Sequence, residues 1–101
     1  MLLALGMPLT AFAELPTYEL TIRDGEFSPA LIEVPAGERF KIVLHNGGQG
    51  PAEFESTVLR VEKVLATGVT TFVVIHPLRA GHYPFFDDFH RELPEGGILA
   101  K

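Results

Sequence analysis

Two short stretches hold the side chains that could do chemistry. Glu53 and Glu55 lie in Pro51-Ala52-Glu53-Phe54-Glu55-Ser56, and Asp87, Asp88 and His90 lie in Tyr83-Pro84-Phe85-Phe86-Asp87-Asp88-Phe89-His90. Carboxylate oxygens combined with an imidazole suit hard and borderline cations such as Fe2+, Fe3+, Mn2+, Cu2+ or Zn2+, and disfavour Cu+, which prefers sulfur. Sulfur is scarce here: the chain has no cysteine, and its two methionines are Met1 and Met7. Several anionic oxygens also favour Fe3+ over Fe2+, because their attraction grows with the charge of the metal. A site of this composition makes bound ferrous iron easier to oxidise, which leads toward iron delivery or a ferroxidase-type role.

Each of these residues also has a plainer reading. Glu53 and Glu55 fall on the same side of a strand by alternation, as a ligand pair or as an ordinary solvated face. Asp87 and Asp88 are residues that turns favour. His90 offers the side chain most often found on metals. Glu62 could complete a site from a neighbouring strand, but pairing with Lys63 or Arg60 is the simpler expectation. His45 alternates away from the face of Leu44, and His76 and His82 fall in or near turns remote in sequence from His90. Tyr83, Phe85, Phe86 and Phe89 read as packing. Ser28 and Ser56, the only serines, lack a His-Asp framework for nucleophilic catalysis. Asn46-Gly47-Gly48-Gln49-Gly50 lacks the Lys-Ser/Thr and the helix of a phosphate loop.

Positioning such residues falls to strands, because period-two alternation dominates and no long helical stripe occurs. Tyr18, Leu20 and Ile22 alternate with Glu19, Thr21 and Arg23 up to an Asp24-Gly25 turn. Phe27-Ser28-Pro29 bends the chain into a short extended piece, Leu31 to Val34. Arg39 to His45 is the clearest strand, with Phe40, Ile42 and Leu44 on one face, and it runs into the glycine-rich loop 46–51. Phe54 to Ser56 begins another extended segment, which Arg60 to Val64 continues after a short break. Thr70 to Ile75, Tyr83 to Phe86 and Gly97 to Ala100 complete the set. Short strands with frequent turn signals and no strand-helix alternation predict an all-β, antiparallel Greek-key sandwich of seven to eight strands. In that architecture the loops after Asn46 and Phe86 approach one another at one end, bringing Glu53 or Glu55 toward Asp87, Asp88 and His90.

The 101 residues suffice for one domain. Residues 1–13 are apolar and uncharged and close on Ala11-Phe12-Ala13, the small-x-small pattern of a signal-peptidase site. The expectation is a signal peptide whose Met1 falls late in a longer leader, followed by a domain at 14–101 exported to the periplasm. Without cysteine that domain gains no crosslink, so core packing, alone or together with a metal, must hold it. A formal charge of −5 argues against nucleic acid, whose binding depends on basic contacts to phosphate.

From Tyr18 onward the chain resembles the EfeO-type, or cupredoxin-1-like, periplasmic proteins. The resemblance rests on Phe27-Ser28-Pro29 followed by Ile32-Glu33-Val34-Pro35-Ala36-Gly37, then Asn46-Gly47-Gly48, Pro51 to Ser56, Glu62-Lys63-Val64, Ala80-Gly81-x-Tyr83-x-Phe85 and His90. It implies a cupredoxin-like fold and the handling of ferrous iron, sometimes with copper, beside an inner-membrane iron permease. The cupredoxin run Tyr-x-Phe-x-Cys-x-x-His finds Tyr83, Phe85 and His90 in place, with Asp87 at the cysteine. Ala52-Glu53 stand near the usual first histidine, and the axial methionine is absent. Blue-copper electron transfer depends on a copper-thiolate bond, so the expected role is not that of a blue-copper carrier. The expected metal ligands are His90, Asp87, Glu53 and Glu55, for an iron or copper ion, in a binding protein that is at most ferroxidase-like. The rival expectation is a metal-free module docking on a permease or another periplasmic partner. A third is a periplasmic copper carrier.

Overall fold

The computed structural model describes residues 15–101. The segment 1–13, read above as a signal peptide, lies outside the described residues. Nine strands follow: β1 (Thr17–Arg23), β2 (Glu26–Ser28), β3 (Leu31–Val34), β4 (Phe40–Asn46), β5 (Ala52–Ser56), β6 (Val61–Leu65), β7 (Thr70–Ile75), β8 (Gly81–Phe85) and β9 (Gly96–Ala100), with a 3-10 turn at Asp88–His90. Among the described residues no helix is long and apolar enough to cross a membrane.

The strands form a four-stranded sheet in the order β2-β1-β4-β7, a three-stranded sheet β3-β9-β8 and a hairpin β5-β6. Alternation decides which side chains meet between the sheets. Leu20 and Ile22 of β1 and Phe40, Ile42 and Leu44 of β4 are buried against Ile32 and Val34 of β3, Phe85 of β8 and Ile98 of β9. Phe85 is the hub: Phe27 meets it edge-on with ring centres 4.9 Å apart, and Phe54 of the hairpin lies 4.8 Å away. A Cβ at Gly96 would stand 2.3 Å from the Phe85 ring, so β9 passes the hub only as glycine.

The all-β sandwich expected from the sequence is therefore present, with three differences. Glu26–Ser28 pairs antiparallel with β1 as a separate short strand. β1 runs parallel to β4, and β3 parallel to β9, because side-chain alternation is blind to strand direction and the chain crosses between sheets at β2-β3. Residues 54–64 do not continue in one direction but reverse. Leu59 N donates to Ser56 Oγ at 3.3 Å, Arg60 N donates to Thr57 O at 3.2 Å, and Arg60 takes a left-handed φ of 58°.

Asn46 ties this hairpin to the sheet. Its buried Nδ2 donates to Gly50 O at 2.9 Å and to Leu65 O, at the end of β6, at 3.1 Å, while its Oδ1 accepts from Gly48 N at 2.9 Å. Replacing the amide by a carboxylate would aim an acceptor at two carbonyls. Asn46→Asp is expected to lower the unfolding free energy by roughly 3 kcal/mol, more than Asn46→Ala does, because a buried charge adds to the unpaired groups. Urea denaturation of both variants checks this; an Asp variant no worse than the Ala variant would refute the donor role.

Candidate metal centre

The hairpin meets the end of β8 through backbone pairing. Glu55 N donates to Phe86 O at 2.9 Å, and Phe86 N donates to Glu55 O at 2.8 Å. This bridge sets β5 beside the segment that holds Asp87, Asp88 and His90. The expected approach of the two regions is thus made by β5 rather than by loop 46–51. That loop packs instead on the Arg23-Asp24 corner, where Gln49 N donates to Asp24 Oδ1 and Arg23 Nη1 to Gly47 O.

Asp87 caps the 3-10 turn. Its backbone is extended, its Oδ1 accepts from Phe89 N at 2.9 Å, and its Oδ2 lies 3.3 Å from His90 Nδ1. An aspartate before a tight helical turn satisfies a donor that would otherwise lack a partner. Asp87 is only 2% exposed, so both of its oxygens are committed to the turn that contains it. His90 is held from the other side by Gly25: a Cβ there, at φ 90°, would stand 2.5 Å from His90 Cβ. Asp88 is exposed and pairs with Arg91 at 3.5 Å, while the Arg91 guanidinium lies 3.9 Å from the Phe86 ring centre.

Glu53 lies beneath this turn. It is 3% exposed, and its Oε1 accepts from Asp88 N at 2.8 Å. Register places Glu55 directly opposite Glu62 and Glu53 opposite Val64, so Glu53, Glu55 and Glu62 share one face of the hairpin. One carboxylate oxygen from each of the three lies within 4.8 Å of the others. Like charges this close repel, and burial adds to the cost of ionising the innermost one. Burial pushes the Glu53 carboxyl up from 4.5 to about 7, with Glu62 and Glu55 adding to the rise and the Asp88 N–H opposing it. The carboxylates therefore hold a proton near neutrality, or accept a cation in its place.

The structure thus brings Glu53 and Glu55 together, and joins Asp87 to His90. The two pairs are linked through the Glu53 contact with the backbone of Asp88. Glu62 was left out of the expected ligand set. The hairpin register brings it in, and the signal for it was the four-residue turn 57–60, which makes residues 55 and 62 partners once the chain is seen to reverse. His45 is exposed, with Nδ1 2.7 Å from Thr70 Oγ1. His82 lies against Gly97 on the other sheet.

The chain that forms this aromatic-centred sandwich matches the cupredoxin-like domain family over residues 1–100 and belongs to that family. It is 33% identical over 83 residues to an uncharacterised protein of Rickettsia prowazekii (strain Madrid E); this alignment covers 82% of the chain and 66% of that protein, just under two thirds of its length. Among solved structures it is similar to a purple cupredoxin from Nitrosopumilus maritimus, with a TM-score of 0.63 and 18% identity over 83% of this chain and 99% of that one. It is also similar to reduced auracyanin from Roseiflexus castenholzii, at 0.70 and 10%, covering 88% and 99%. The metal binding domain of the Cu(I)-exporting ATPase CopA of Streptococcus pneumoniae D39, solved with Cu(I), matches at 0.70 and 14%, covering 84% of each chain. These likenesses establish the fold. The thiolate copper chemistry associated with it does not fit this chain, which has no cysteine and whose Asp87 spends both oxygens on its own turn.

The raised Glu53 group makes stability depend on pH with a definite sign. Between pH 4.5 and about 7 the folded chain keeps a proton that the unfolded chain has lost. The stability due to this group is full below pH 4.5 and falls as pH rises through 7, by at most about 3 kcal/mol. Urea unfolding at pH 5 and pH 8 should show the acidic condition favoured, and Glu53→Gln should flatten that difference.

Proposed function

We propose that this domain binds a divalent cation through Glu53, Glu55 and Glu62, beside the Asp87-His90 turn, and serves as a periplasmic accessory to ferrous iron uptake rather than as a blue-copper electron carrier. The observation that carries the proposal is the set of three carboxylate oxygens within 4.8 Å of one another, one of them from a nearly fully buried side chain. Three acidic groups converging with no salt bridge to a basic side chain among the described residues suit a cation by charge, and their oxygens suit iron better than Cu+. Family membership supports metal handling as the general theme. The iron-uptake setting, an inner-membrane permease as partner, and export are extended from the sequence resemblance to EfeO-type proteins.

In this reading iron is cargo that the chain's own carboxylates bind, and the Asp87-His90 turn is tied to them through the Asp88 N–H that Glu53 accepts. Oxygen ligands would bias the bound ion toward Fe3+, and a ferroxidase label would require turnover. The rival is a metal-free docking module, consistent with the self-satisfied capping of Asp87.

Thermal unfolding separates the two. Fe2+ under anaerobic conditions, and Cu2+ in vitro because divalent affinities rise toward copper, should raise the melting temperature. A ligand at a hundredfold excess over its dissociation constant adds about 2.7 kcal/mol, roughly 10–20 °C for a domain of this size. Glu55→Gln and Glu62→Gln should abolish the gain, and His90→Ala should reduce it. Binding should weaken from pH 7.5 to pH 5.5, as the cation competes with the proton on Glu53. No response to any of these cations would leave the docking module as the better account.

A further inference from the structure

A separate feature lies on the four-stranded sheet, away from the carboxylates. β7 is its last strand and pairs only with β4. Which of its backbone groups point outward follows from β4. Lys41 N and Gly47 N donate toward the β1 side, to Pro16 O and Ile22 O, while Asn46 N donates to Val69 O. Backbone groups alternate along a strand, so even-numbered residues of β4 face β7. Their partners Thr71, Val73 and Ile75 are used up in that ladder. Thr70, Phe72 and Val74 therefore turn their N–H and C=O groups to the open edge, and among the described residues these have no backbone partner.

The side chains of Phe72 and Val74 are 53% and 39% exposed, beside Val43 of β4. From Val64 to Ile75 there is no charged residue and no proline. Sheet edges in monomers are normally blunted by such residues or by bulges; this one carries none of these.

We propose that β7 is a self-association edge, on which the β7 of a second copy lies antiparallel about a two-fold axis at Phe72. That register sets Phe72 opposite its own counterpart and Thr70 opposite Val74, so the outward donors and acceptors of each strand meet those of the other. It also joins Val43 and Phe72 of both copies into one apolar stripe on the outer face. A second copy is the occupant because the edge is self-complementary and its strand is uncharged. The flanking carboxylate on that row, Glu19, is kept about 24 Å from its counterpart by the strands between them, beyond the screening length of about 8–10 Å. Lys41, 5.2 Å over the Phe72 ring, has Thr17 on its β1 side and Val74 on its β7 side; across the axis the row continues to Thr70 and then His45 of the second copy, so no carboxylate meets it there. Six residues of edge make a small interface, so association is expected between roughly 10 µM and 1 mM.

Sedimentation over that range tests it. The wild-type chain should move from monomer to dimer, with little effect of salt. Phe72→Glu should remain monomeric. So should Val74→Pro, which removes an N–H that the fold does not use but that the second copy needs; circular dichroism and melting would show that each variant is folded. A wild-type chain that stays monomeric to 1 mM would overturn the proposal, leaving the edge to some other extended partner. A Val74→Pro chain that is folded and dimerises as the wild type does would also overturn it.

Discussion

Two backbone hydrogen bonds between Glu55 and Phe86 hold the acidic hairpin to the end of β8, and the candidate chemistry depends on that join. Backbone pairing is indifferent to the side chains it brings together. It can therefore hold Glu53 under the 87–90 turn, and Glu55 and Glu62 face to face, although the carboxylates themselves repel. The opposing force is apolar: Phe54, one residue from each glutamate, inserts against Phe85, and burial of those rings outweighs the repulsion on the other face of the strand.

The electrostatic consequence is a site poised between a proton and a cation. A thiolate-centred copper site obtains its affinity from a soft, short bond. Here the same end of the fold offers hard oxygens whose mutual repulsion is relieved only when a positive charge enters. Burial of Glu53 sharpens this, because an isolated carboxylate in that position is costly to ionise. Asp87, where the sequence resemblance sets a cysteine, caps its own turn and lies 3.3 Å from His90 Nδ1 rather than standing free.

The scaffold does not depend on a thiolate at its tip. The Phe85 hub, the glycine at position 96 and the Asn46 loop lock the strands irrespective of the side chains at the tip. The outer face of β7 belongs to another sheet, so the proposed cation binding and the proposed self-association draw on different parts of one small sandwich.

Much of this was legible in the residues. Alternation in Phe40-Lys41-Ile42-Val43-Leu44 set one face of β4 inward, and the absence of cysteine by itself removed thiolate chemistry. Those properties depend on residue type and on the two-residue period of a strand, which are local. The reversal at residues 57–60, the parallel pairing of β1 with β4, the commitment of Asp87 to its own turn and the recruitment of Glu62 were decided by tertiary structure. Each depends on which distant strand lies alongside and in which register, and a one-dimensional pattern of apolar and polar residues carries neither direction nor partner.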